Sequence, residues 1–146
     1  MHSLILHRRV LPQHTDHAGV MWHGAYVAWL EEARVEALAT AGLAYSQLSA
    51  RGLELPVVSL SISYRQPLMH GDLVQIESRM LPRCGLRFPW HSRFLAPQGH
   101  LAAEASVELV LVASGGEAGA RRLLRHLPPD LERAIASLTA GQTRPG

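Results

Sequence analysis

Hydrophobic and polar positions alternate with two different periods along the 146-residue chain. Between Ala25 and Ala41 the apolar residues Tyr26, Trp29, Leu30, Ala33, Ala37 and Leu38 recur at spacings of three and four, which predicts one long helix. Gly42 follows the last periodic position, where a left-handed residue commonly stops a helix. From Leu55 the period becomes two. Val58, Leu60, Ile62 and Tyr64 alternate with serines and Arg65 up to Pro67, and Val74, Ile76 and Met80 alternate with Gln75, Glu77 and Arg79 up to Pro82. Leu86, Phe88, Trp90 and Phe94 alternate with Arg87, His91 and Arg93, although Pro89 lacks a ladder donor and argues for an edge position or a bulge. Ala103 to Leu111 alternates with Glu104, Ser106 and Glu108 and turns apolar on both sides near Val110 and Val112, which marks the most buried strand.

At the ends of the chain, Leu4 to Leu11 predicts a first strand, and Arg121 to Leu127 a short edge strand after a Gly-rich loop over 114–120. Pro128-Pro129-Asp130 opens a small helix through Leu138. The order of strand, long helix, then four or five strands on short turns predicts an α+β domain whose antiparallel sheet wraps one helix. Residues 1–138 form that single domain, and 139–146 are expected to fray. One helix covers one sheet face, so pairing with a second copy is expected to cover what remains.

Composition narrows the class. With 47% hydrophobic and 18% charged residues and no continuous apolar run of membrane length, the chain reads as a soluble globular domain without a membrane span. The first residues lack the features of a secretory signal, and the single Cys84 cannot form an internal disulfide, so a cytoplasmic location is expected. All 14 basic residues are arginine, yet they are scattered among acidic residues, the net charge is +2 and only 5% of residues are aromatic; nucleic acid is not expected as a partner.

The chemistry concentrates in Asp16-His17-Ala18-Gly19-Val20-Met21-Trp22-His23-Gly24-Ala25-Tyr26. An acid stands seven residues before a helix start, and a helix N-terminus offers unpaired amides and partial positive charge to a developing oxyanion. Gly19 permits a sharp turn between the two. This run resembles the signature of hotdog-fold acyl-CoA thioesterases of the 4-hydroxybenzoyl-CoA thioesterase type, an Asp-x-x-Gly-Val/Ile-x-x-His/Tyr/Asn-x-x-Tyr pattern followed by an acidic-x-x-Arg helix. Asp16, Gly19, Val20, His23, Tyr26, Glu31 and Arg34 occupy those positions. Tyr64 to Asp72 is similar to the family's aromatic-x-x-Pro-x-x-x-Gly-Asp turn.

The resemblance implies a hotdog fold, a five- or six-stranded antiparallel sheet around one long helix, assembled as homodimers or homotetramers. It implies hydrolysis of an acyl-CoA substrate to CoA and a carboxylate with no metal or other cofactor. Asp16 would serve as nucleophile or as base for water, the backbone N–H of His23 as oxyanion donor, and Gly19, Val20, Trp22 and Tyr26 as substrate-binding residues. An aromatic acyl group such as hydroxybenzoyl or 1,4-dihydroxy-2-naphthoyl fits the resemblance, and aliphatic groups are equally permitted.

Two departures stand out. His14 occupies a position where many members carry a second aspartate, and His17 puts a titratable group beside Asp16, where it is expected to help keep the acid ionised. Asp16 is expected to titrate near or somewhat above the ordinary value of about 3.9. His14, Asp16, His17 and His23 also contain metal-ligand types, but in a loop without fixed ligand geometry. Glu31 and Arg34 read as an ion pair one turn apart, and His70 and Asp72 as turn residues. Arg65, Arg83, Arg87, Arg93, Arg121 and Arg122 are candidates for the CoA phosphates. Alternatives to hydrolysis are a hotdog dehydratase, whose usual histidine-bearing helix is not visible, and a noncatalytic acyl-CoA-binding module.

Overall fold

The computed structural model describes residues 3–114 and 121–140. Ser3–Arg9 form β1, and a 3-10 turn at Pro12–His14 leads into the loop before helix α1, His23–Thr40. A short helix α2, Tyr45–Ala50, and a two-residue strand β2, Leu53–Glu54, precede β3 (Val57–Tyr64), β4 (Leu73–Met80), β5 (Arg87–Leu95) and β6 (Leu101–Val110). Strands β7 (Val112–Ser114) and β8 (Arg121–Leu123) and helix α3 (Pro129–Thr139) complete the chain. The main sheet is five-stranded in the order β1-β4-β5-β6-β3, with every neighbouring pair antiparallel.

Each apolar residue that sets the helical period of α1 is buried: Tyr26, Trp29, Leu30, Ala33, Ala37 and Leu38. They meet the inward face of the sheet, where Ile76, Phe88, Phe94 and Leu109 are also buried. Gly42 has φ 91° just past the helix end, the left-handed stop its position predicted. Helix α3 buries Leu131, Ala134, Ile135 and Leu138 and packs against β4 and α1. Most of the tail expected to fray, 141–146, lies outside the described residues, as does 115–120 of the Gly-rich loop.

Three expectations need correction. Pro89 lies within an interior strand, between β4 and β6, and the register shift of that pairing falls at Phe94/Leu95 instead. The N and O of one residue in an antiparallel strand point to the same side. The Pro89 carbonyl accepts the Leu81 amide at 2.8 Å, so its missing donor also faces Leu81, where β4 has already ended at Met80. The apparent continuous strand through Val112 is split, because β6 ends at Val110 and β7 enters a second, three-stranded sheet of order β2-β7-β8. Finally, the sheet face opposite α1 is polar. By strand alternation Glu77, His91, Arg93, Glu104 and Glu108 share it, tied by Arg93–Glu77, His91–Glu104 and Arg87–Glu108 contacts. The longest run of exposed apolar residues lies instead along edge strand β3, at Val57, Val58, Leu60 and Tyr64, with others scattered singly, such as Ile5 and Leu73.

Candidate active site

The loop before α1 folds back on itself. Thr15 bridges Met21, the Asp16 amide donates to the Val20 carbonyl at 2.8 Å, and the Trp22 amide donates to the His14 carbonyl at 3.0 Å. Gly19 makes the reversal at φ 80°, a conformation costing an L side chain roughly 1–2 kcal/mol. Inside this turn the Asp16 carboxylate is held by its own loop: Oδ1 accepts the Ala18 amide at 2.8 Å and the Val20 amide at 3.1 Å. Oδ2 makes no hydrogen bond among the described residues, and the side chain is exposed.

Those two amides, Val20 first and Ala18 second, pull the Asp16 carboxyl below its ordinary value of 3.8; His17 adds a smaller push in the same direction. The expectation of a value near or above normal is therefore reversed in sign. The acid is not buried enough for desolvation to win, and backbone N–H donors stabilise its charged form.

Helix α1 begins immediately after the loop. Trp22 is its N-cap with extended backbone and supplies no side-chain cap, so the His23 and Gly24 amides precede the helix's own hydrogen-bond ladder. They point out of the positive end of the helix dipole. Beside them lies an open hollow of about 360 Å³ lined by Val20, Met21, His23, Tyr26, Tyr64, Arg65, Gln66 and Pro67. It continues along β3 into a second hollow of about 410 Å³ lined by His23, Val27, Leu60, Ile62 and Tyr64. The buried Tyr26 ring meets the Tyr64 and Phe94 rings edge-on at 5.1 and 5.0 Å, fixing an aromatic floor.

Of the residues singled out in the sequence, Val20, His23 and Tyr26 line the hollow. Asp16 and Gly19 belong to the adjoining loop. Trp22 is not among the lining residues; it is 46% exposed, and its indole lies over Gly24, where an added β-carbon would sit 2.3 Å from the ring. His14 is used locally, its Nδ1 accepting the Leu11 amide at 3.0 Å and its ring edge-on to Trp29. Among the described residues no group of three or more His, Cys, Asp or Glu side chains is placed to hold a metal ion.

Glu31 and Arg34 form no ion pair among the described contacts. Arg34 instead lies half-buried near Tyr45, and burial pulls its guanidinium below the usual value against a smaller opposing effect of Glu31. Of the six candidate phosphate-binding arginines, Arg65 lines the hollow. Arg87, Arg93 and Arg121 are engaged with Glu108, Glu77 and Glu54. Met21, Gln66, Val27, Leu60 and Ile62 were not singled out for the site. The available signal was the alternation of β3, which placed Leu60, Ile62 and Tyr64 on one face without telling that α1 covers that face only in part.

The sequence model of the Thioesterase-like superfamily matches residues 10–135. A Synechocystis protein whose name assigns it provisionally to the esterases is 33% identical over 131 residues, covering 89% of this chain and 76% of its own. An acyl-CoA thioester hydrolase of Escherichia coli is 29% identical over 104 residues, 71% of this chain and 78% of the relative. Among solved structures, a DHNA-CoA thioesterase from Staphylococcus aureus superposes with a TM-score of 0.84 at 24% identity, covering 96% of this chain and 93% of that one. At that identity the likeness is one of fold.

Proposed function

The chain belongs to the Thioesterase-like superfamily, and from that premise we propose that it hydrolyses an acyl-CoA thioester to free CoA and a carboxylate, with Asp16 directing the attack. The observation that carries this reading is the turn that pins one oxygen of Asp16 and leaves the other open, immediately before the uncapped start of α1. The thioester carbonyl oxygen would accept the His23 amide. Asp16 Oδ2 would take a proton from water as the hydroxide forms a bond to the carbonyl carbon, or would itself form that bond. Collapse of the tetrahedral oxyanion breaks the carbon–sulfur bond, and the CoA thiolate leaves and is protonated. On the nucleophilic route the acyl group is then held on Asp16 as a mixed anhydride, which water hydrolyses to the free carboxylate, restoring Asp16. A thioester is already an activated acyl group, so one carboxylate and one oxyanion donor are chemically sufficient.

Val20, Met21 and Tyr64 beside the reacting position, and Leu60, Ile62 and Val27 beyond it, form a wall suited to an apolar acyl group, aromatic or aliphatic. Trp22 and Gly19 would flank the entrance. Asp16 and His23 are both exposed in the single chain, whereas electrostatic stabilisation works best with water excluded. We therefore place a second copy across the β3 edge and the Val27 face of α1, giving a homodimer or, by further pairing, a homotetramer. The lone exposed Cys84 suits a reducing cytoplasm.

Thiol release measured across a panel of aromatic and aliphatic acyl-CoAs tests the reading and reports the acyl group. Turnover of at least one class is expected. Binding of the whole panel without release of any thiol would make the chain an acyl-CoA-binding module instead.

A further inference from the structure

Asp72 lies outside both hollows and is separated from Asp16 by the whole of α1 in sequence, yet the two are joined by a short ladder of bonds. Asp72 Oδ2 accepts the Met69 amide at 2.9 Å, and the Asp72 amide donates back to the Met69 carbonyl at 3.0 Å, closing the 69–72 turn twice. Met69 bridges Val20, flanked by the Met21 amide on the Leu68 carbonyl at 2.8 Å and the His70 amide on the Gly19 carbonyl at 2.9 Å. Val20 holds Asp16 from both its groups, amide to Oδ1 and carbonyl from the Asp16 amide. On its other side the turn is fixed to the core, because the fully buried Val10 exchanges amide and carbonyl bonds of 2.8 Å with Asp72 and Gly71.

We propose that Asp72 is a positioning residue for the Asp16 carboxylate. By closing the 69–72 turn it holds the backbone strip on which the 16–20 loop is registered. The inference rests on the reading of Asp16 as the acid of the reaction. Its physical basis is that the exposed Asp16 carboxylate accepts no side-chain hydrogen bond among the described residues. Its direction is set by the Ala18 and Val20 amides, and Val20 in turn is set by the 68–70 strip. A misplacement of about 1 Å at a reacting group can cost roughly a hundredfold in rate.

The test compares Asp72→Ala, Asp72→Glu and Asp72→Asn in the full chain, each checked for native circular dichroism. Asp72→Ala removes the acceptor and should lower kcat about ten- to a hundredfold with KM changed less than about threefold. The acid limb of its pH profile should move to higher pH, because a loosened Val20 amide no longer favours the charged form. Asp72→Asn keeps an acceptor oxygen and should restore most of the rate. Asp72→Glu keeps the charge but moves the acceptor by one methylene, and serves if the alanine variant does not fold. The titratable neighbours on the loop and the facing turn, His17 and His70, are left in place.

An activity-independent readout is the Asp16 side-chain carbon resonance in aspartate-labelled protein, which should titrate at higher pH in Asp72→Ala. An unmoved Asp16 titration and acid limb in a folded, slow variant would overturn the proposal, as would an Asp72→Asn as slow as Asp72→Ala. Full activity in Asp16→Asn would instead overturn the reading of Asp16 as the acid of the reaction. The resonance would still decide whether Asp72 holds that side chain.

Discussion

At Asp16, one carboxylate oxygen is committed to two backbone amides and the other is open, so geometry and charge can be separated by a single substitution. Asp16→Asn retains an acceptor for the Ala18 and Val20 amides and removes the negative charge. Turnover should fall at least about a hundredfold, as expected for loss of a general base or nucleophile, while the thermal melting curve stays in place. The same two amides determine the pH dependence. A folded-state pKa below the ordinary value means that the carboxylate persists as pH falls through the usual range, and activity is lost only on reaching the depressed pKa. A pH–rate profile checks this: an acid limb above pH 4 contradicts it, provided the enzyme is still folded there. Tyr26 gives a second titration. Burial pushes its phenol up to about 12, so the neutral form is favoured in the folded state. Stability owed to this group is present below about pH 10 and lost as pH rises through about 12. Difference absorbance between the wild type and Tyr26→Phe should show that phenol ionising later than a free tyrosine. Asp16 could be singled out from sequence because it stands before a helix start at the acid position of a run, Asp16 to Arg34, that resembles the thioesterase signature. The direction of its pKa could not, because the donors are backbone amides that every residue carries, and only the turn at Gly19 aims them.

Elements with many repeats of one period were legible and short ones were not. Helix α1 declares itself through six apolar residues spaced by three and four, and all six are buried. Helix α2, at six residues, and β2, at two, are too short for a period to accumulate, and both are set by the contact of β2 with β7 and of Tyr45 with Leu55. Pro89 misled for a related reason: its absent donor faces Leu81, one residue past the end of β4, so the missing bond falls at the end of the β4–β5 pairing and not in its middle. Inside the sheet, Ser78 is a polar residue on the inward face of β4, between the buried Ile76 and Met80, and the pattern of the sequence alone assigns it no role. It faces Ser92 of β5, Oγ to Oγ at 2.6 Å, both buried beneath the helices. Replacing either serine by alanine strands a buried hydroxyl and should cost roughly 1–3 kcal/mol. The Ser78→Ala/Ser92→Ala double variant should cost less than the sum of the singles, because no unpaired hydroxyl remains. Urea denaturation of the four proteins gives the cycle, and strict additivity would show that the two hydroxyls do not depend on each other.

Across the whole molecule, the division between covered and uncovered surface argues for assembly on different grounds from those the sequence supplied. Counting helices against sheet faces suggested that the face opposite α1 needs a partner, but that face is charged and internally paired. Exposed apolar residues also occur singly on β1, β4, β8 and the loops, but they run together at Val57, Val58, Leu60 and Tyr64 on β3, with Val27 on α1 across the shared hollow, each between 39% and 53% exposed. Strand β3 is also a sheet edge, with one side of its backbone unpaired, and a long apolar edge left open is a template for pairing with another chain. A second copy laid edge to edge along β3 satisfies those backbone groups and covers the hollow shared by His23 and Tyr64 in one step. Leu60→Arg places a charge in the middle of that strip without touching the buried core, since Leu60 is 42% exposed in the single chain. The variant should keep its fold and run as a monomer in light scattering at micromolar concentration where the wild type is at least a dimer. Its thioesterase activity should also fall, from loss of the partner and from the charge placed in the acyl wall that Leu60 lines. A wild-type monomer with full activity would contradict the assembly, and a Leu60→Arg monomer with full activity would show that the site is complete within one chain.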